Sequence, residues 1–175
     1  PEFDLLERIG AAARDGFAAV EVQGPYAAEA TAFRTALDAA RVRLVLMNAP
    51  VGDFAGGERG LAALPGHERE FDSSLERALD YARTTGAPRV HVMAGTPPDA
   101  ALAEVLFTYE RNIARACEVL GRHGIEVMIE PINRRDIPGY FLASLPLALE
   151  VIDRLQRRPR LQFDFYHLQI LQGDL

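Results

Sequence analysis

The sequence predicts an α/β fold with a parallel sheet, built from repeated β/α units in a single domain over residues 1–175. Three observations predict it. The apolar pattern switches repeatedly between strand-like runs and helix-like periods along the chain. Glycine follows helix ends in Asp15-Gly16-Phe17, Thr85-Gly86-Ala87 and His123-Gly124-Ile125, where a left-handed cap before a strand favours it. The strand-like runs are short and nearly continuous, which suits strands covered on both faces.

Taken in order, a helix is expected near 3–15, closing at Gly16, then a strand near 17–22 in which Glu21 ends Ala18-Ala19-Val20. A helix near 27–40 leads to a strand near 42–48 that ends on Asn48. The segment from Ala49 to Gly66 is too long for an ordinary β/α connection of ~2–6 residues and is rich in glycine, so it is expected to serve as a lid or substrate wall. The next helix, near 67–85, carries Leu75, Leu79 and Ala82 at core spacing. Pro88 opens a strand near 88–94, where His91 points opposite to Val90 and Val92, either into a barrel or toward the helices. A helix near 101–122 precedes Val127-Met128-Ile129-Glu130-Pro131, a strand near 125–130. A helix near 144–157 and Pro159 lead to a strand near 160–165, and a last helix opens near 169.

Composition narrows the function. A hydrophobic fraction of 49% and a charged fraction of 25% are ordinary for a soluble globular domain. A net charge of −6 without a clustered basic patch argues against a nucleic-acid partner, and no apolar run approaches the ~18 residues of a membrane span. All 19 basic residues are arginine, so a lysine Schiff base and a P-loop lysine are excluded for this segment. The lone Cys117 lies in a helical pattern that suits the core, and a cytoplasmic setting is the default.

Glu130 and Asp164 each end a strand-like run on what would be adjacent strands. Strand C-termini are where catalytic groups collect in β/α barrels. Two hard oxygen ligands suit Mg²⁺ or Mn²⁺, although Glu130 could instead pair with Arg134 or Arg135. His167, three residues after Asp164, reads either as a substrate contact or as a histidine bonded to a backbone carbonyl. Asp136 reads as a substrate contact or a loop cap, and Asn48 as a hydroxyl-orienting residue or a loop start. Arg59, flanked by glycine, is the best placed to clamp a carboxylate, with Arg134 and Arg135 competing. Glu21 could line the same mouth or form an ion pair at the barrel floor. His67 and His123 fall near helix ends and read as caps.

These stretches, together with Asn48-Ala49-Pro50, the segment Gly57 to Gly66 and His91-Val92-Met93-Ala94-Gly95, resemble the hydroxypyruvate isomerase family of xylose isomerase-like TIM barrels. The resemblance implies a (β/α)8 barrel. Such a barrel needs ~250 residues, so a partial chain is expected, incomplete at both ends and covering about the second to sixth β/α units. An arc of that kind leaves unpaired edges and is expected to pair with another copy or aggregate unless further strands complete it.

In that family two glutamates, an aspartate and a further side chain hold the metal, and the glutamates also serve as the acid/base pair. Glu130 and Asp164 match the first glutamate and the aspartate; the other two ligands would lie beyond Leu175. By resemblance His167, His91 and Asp136 face the substrate. The implied reaction is hydroxypyruvate to 2-hydroxy-3-oxopropanoate through an enediolate, on a small hydroxy-oxo acid, with Glu130 as catalytic residue. The segment Glu130 to Tyr140 also resembles isomerases of four-carbon 2-oxo-tetronates. Sugar 3-epimerases and a binding-only or inactive fragment are further alternatives.

Overall fold

A computed structural model describes residues 3–97 and 101–173. Expectations about Pro1, Glu2, Asp174 and Leu175 lie outside the described residues.

Local signals set the helix ends. α1 (Leu5–Arg14) follows Asp4, whose amide donates to the Glu7 carboxylate at 3.1 Å. A short 3-10 turn (Pro25–Ala27) precedes α2 (Ala30–Ala40), so the helix expected from residue 27 is broken at Ala28. α3 (Glu68–Thr85) closes on Gly86 at φ 78°, a left-handed position that suits glycine. His67 occupies the residue before α3, yet its side chain makes no capping bond. α4 (Leu102–Gly121) runs close to its expected range. α5 (Leu145–Arg154) starts at Ser144, whose Oγ accepts from Leu147 N at 3.3 Å, and ends before Gln156 and Arg157 take positive φ.

Strands β1 (Ala19–Val22), β2 (Arg43–Asn48), β3 (Arg89–His91), β4 (Glu126–Ile129) and β5 (Arg160–Leu161) pair in parallel in the order β1-β2-β3-β4-β5. Strand order equal to chain order means that each crossover steps the same way. With the strong right-handed preference of such crossovers, the helices lie on one face and the sheet curls as an arc of a barrel. Between the layers, Phe33, Phe71, Leu75, Ile113 and Leu120 pack with Val90, Val127 and Ile129, all essentially buried.

Register then decides what sits at each rim. Asn48 pairs with His91, His91 with Met128, and Glu130 follows β4 directly, so all three lie at the C-terminal rim. At the opposite rim Glu126 sits between Arg89 at 3.2 Å and Arg160 at 3.5 Å.

The last strand is shorter than expected. Pairing fades after Gln162 N donates to Ile129 O at 2.9 Å, and α6 (Phe165–Gln172) begins at once. Asp164 is therefore the N-cap of α6 rather than a strand end; its Oδ1 accepts from His167 N at 3.0 Å. Phe163 and Phe165 stand exposed beyond β5, stacked edge to face at 5.3 Å.

The segment from Ala49 to Gly66 is only in part a lid. Leu61 to Leu64 are buried, Ala63 N donates to Ala94 O at 2.7 Å, and Gly60 forms an antiparallel bridge with Ala94. A Cβ on Gly60 would meet Met93 O at 2.4 Å and one on Gly95 would meet Gly60 O at 2.2 Å, so two backbones touch where only glycine fits. The exposed tip runs from Gly52 to Gly57.

Candidate functional site

The C-terminal rim surrounds an open cleft of about 710 Å³ lined by Glu130, Asp164, His167, His91, Arg59, Asn48 and Asp136. The structure thus brings the seven residues expected from the sequence to one cavity. Strand alternation does much of this: Val127 and Ile129 pack outward, so the side chain of Glu130 turns the other way, toward the cleft.

Glu130 is 6% exposed. Burial, and then the nearby charges of Asp164 and Glu21, push its carboxyl up to about 8. Its neighbour His91 is buried too, and burial, with His167 adding, lowers that imidazole to about 3. His91 Nδ1 lies 3.5 Å from Glu130 Oε2, while Nε2 has no partner among the described residues. Glu130 has no ion pair with Arg134 or Arg135. Arg134 instead donates to Tyr140 O at 3.1 Å, and neither arginine lines the cleft.

One ligand atom from each of Glu130, Asp164 and His167 lies within 4.8 Å of the others. Glu130 and Asp164 bring hard oxygens to this cluster, and burial together with the Asp164 charge already lifts Glu130, so a divalent cation fits between the two carboxylates. Asp136 and His167 both contact Asn133, which is fully buried. Asn133 Nδ2 donates to Asp136 Oδ2 at 3.2 Å and lies 2.7 Å from His167 Nδ1, and Asn133 Oδ1 accepts from Asp136 N at 3.0 Å.

Arg59 is held by its own loop, stacked 4.0 Å over the Phe54 ring and donating to Phe54 O at 3.0 Å and Glu58 O at 2.8 Å. Asn48 spends its amide on Met93 Sδ at 3.5 Å, and its carbonyl accepts from Tyr26 Oη at 2.6 Å. Glu21 lines the cleft at its β1 side, away from the floor. Among the lining residues that the sequence does not single out are Ile137, Tyr26, Arg77 and Gln162, whose buried Oε1 has no partner among the described residues.

Comparison with known proteins agrees with this architecture. Residues 9–175 match the family model described as the xylose isomerase-like TIM barrel. The chain belongs to that family. A 2-oxo-tetronate isomerase from Cupriavidus necator is 46% identical over 99% of this chain and 68% of its own length. The hydroxypyruvate isomerase of Escherichia coli is 36% identical over the same shares. Among solved structures, an AP endonuclease, family 2, from Brucella melitensis superposes with a TM-score of 0.96 at 38% identity, again over 99% of this chain and 68% of that one. The chain spans about two thirds of the length of these relatives.

Proposed function

We propose that the protein is an isomerase of short hydroxy-oxo acids, interconverting hydroxypyruvate and 2-hydroxy-3-oxopropanoate. The observation that carries this reading is a buried glutamate, lifted to about 8, beside a second carboxylate and a histidine in one open cleft. The chemical task is to remove a proton from the hydroxyl-bearing carbon next to a carbonyl. Removing it leaves an enediolate; the hydroxyl proton passes from that carbon's oxygen to the neighbouring oxygen, and returning a proton to the adjacent carbon gives the product. Glu130 is one half of the acid/base pair, its carboxylate taking the carbon-bound proton and its carboxyl giving a proton back.

Glu130 and Asp164 would hold Mg²⁺ or Mn²⁺, which when bound supplies positive charge against the negative charge that develops on the substrate oxygens. Glu130, as the carboxylate, would accept the carbon-bound proton. Arg59 binds the substrate carboxylate from the lid side. His91, neutral and with a free Nε2, contacts a substrate oxygen, and Asn48 helps to shape the cleft wall. His167 and Asp136 complete the polar side of the cleft.

A second reading, an isomerase of four-carbon 2-oxo-tetronates, is favoured by the 46% identity to the Cupriavidus necator protein. It uses the same residues and differs in what the cleft must hold. The net charge of −6 gives little attraction for a phosphate backbone, which separates both readings from the endonuclease name of the Brucella melitensis structure. The half-buried Cys117, raised to about 11 by burial, suits a packing role rather than a nucleophilic one. Steady-state rates with three-carbon and four-carbon substrates, each with and without a chelator, test the proposal. The three-carbon reading expects the larger kcat/KM for hydroxypyruvate; preference for the four-carbon acid selects the second reading, and chelator-insensitive turnover rejects the metal.

A further inference from the structure

Asn133 is a buried amide whose hydrogen-bonding capacity is almost fully committed, and its arrangement has one consistent assignment. Oδ1 accepts the backbone amide of Asp136 at 3.0 Å. Rotating the amide by half a turn would set an NH₂ against that N–H and an oxygen against the Asp136 carboxylate, so Nδ2 must face Asp136 Oδ2 at 3.2 Å and His167 Nδ1 at 2.7 Å. Both protons of Nδ2 are then in use. His167 Nδ1 has to accept, which leaves the ring proton on Nε2.

The surroundings hold both partners in place. Asn133 is fully buried in a turn fixed by Ile132 N to Leu142 O at 3.0 Å and Ile137 N to Asn133 O at 3.2 Å. His167 sits in the first turn of α6, its amide bound by Asp164 Oδ1 at 3.0 Å, and it lines the cleft. Neither ring nitrogen of His167 thus offers a lone pair to the cleft.

From this geometry we infer that Asn133 is a positioning residue that fixes His167 as an Nε2–H hydrogen-bond donor toward a substrate oxygen and so removes it from the metal's ligand set. The inference deepens the isomerase reading of the same cleft and rests on it for the identity of the acceptor. Asp136 acts one step further back, by orienting the Asn133 amide. The three clustered groups then divide by role: Glu130 and Asp164 offer oxygens to a cation, whereas His167 offers a proton to the substrate.

Two-bond ¹H–¹⁵N correlation NMR of the histidine rings tests this without turnover, with the His167 signals assigned by their loss in His167→Gln. The wild-type protein is expected to carry the proton on Nε2, both alone and with saturating Mg²⁺. Asn133→Asp replaces the donor with an acceptor and is expected to move the proton to Nδ1, while kcat/KM for the turned-over acid falls roughly tenfold, mostly through KM. A wild-type His167 protonated on Nδ1, or one whose Nε2 loses its proton on Mg²⁺ addition, overturns the inference even if Asn133→Asp fails to fold. Absence of turnover with the Nε2–H form present would reject the isomerase reading and leave the positioning role standing.

Discussion

His91 Nδ1 lies 3.5 Å from Glu130 Oε2, with both side chains almost completely buried. The contact has the outline of an ion pair, but burial moves each group away from its charged form. His91 falls to about 3 and Glu130 rises to about 8, so between these values, without a cation, both are neutral.

The pair therefore makes the metal-free protein lose stability at both ends of the pH scale. Unfolded His91 gains its proton near 6.5, so its contribution is present above that pH and is lost as pH falls toward 3. Unfolded Glu130 loses its proton near 4.5 while the native form keeps it to about 8, so stability falls as pH rises through that window. Urea midpoints across pH should show His91→Gln flattening the acid limb and Glu130→Gln the alkaline one, each by up to roughly 4 kcal/mol. An unchanged alkaline limb in Glu130→Gln would sink this assignment.

Asp164 has two duties, capping α6 and offering an oxygen to a cation. Asparagine caps nearly as well as aspartate but is a poorer ligand for Mg²⁺. Asp164→Asn should leave thermal unfolding almost unchanged and weaken Mg²⁺ or Mn²⁺ binding by at least roughly tenfold in titration calorimetry. Equal affinity would remove Asp164 from the metal site.

The lid is anchored by backbone contact between Gly60 and the stretch from Met93 to Gly95. Gly60→Ala combines φ 126° with a Cβ only 2.4 Å from Met93 O, whereas Gly57→Ala, at φ 98°, meets nothing within 4 Å. Denaturant melts should give a loss of roughly 2–4 kcal/mol for Gly60→Ala and about 1 kcal/mol for Gly57→Ala. Similar losses would mean that the contact is not what holds the loop.

The helices and strands were legible because their periods and caps are local. Glu130 was legible for the same reason, since an apolar strand delivers it to the rim and Pro131 stops the ladder. Asp164 is legible in its chemistry but not in its place: Phe163 and Phe165 read as strand by their aromatic β preference, while the chain turns into α6 directly after Asp164. Asn133, Gln162, Tyr26 and Arg77 carry no local mark. Asn133 matters only because a residue from a distant helix arrives beside it, and the pinning of the lid at Gly60 depends on a loop that comes later in the chain.

Arg59 lines the cleft while anchored on Phe54 and on its own loop carbonyls. Arg59→Ala should raise KM for the acid substrate roughly tenfold with a smaller change in kcat, and Arg59→Lys should recover little, because a point charge does not reproduce the guanidinium fork. Unaltered KM would move carboxylate recognition to Arg77 or elsewhere.

Glu130 moves a carbon-bound proton, and proton NMR of hydroxypyruvate in D₂O with the protein and Mg²⁺ reads that transfer. The expected product is 2-hydroxy-3-oxopropanoate carrying solvent deuterium at the carbon that gains a proton, with Glu130→Gln slower by about 10²–10⁴-fold. Product free of solvent deuterium, or a Glu130→Gln variant as fast as the wild type, would contradict it.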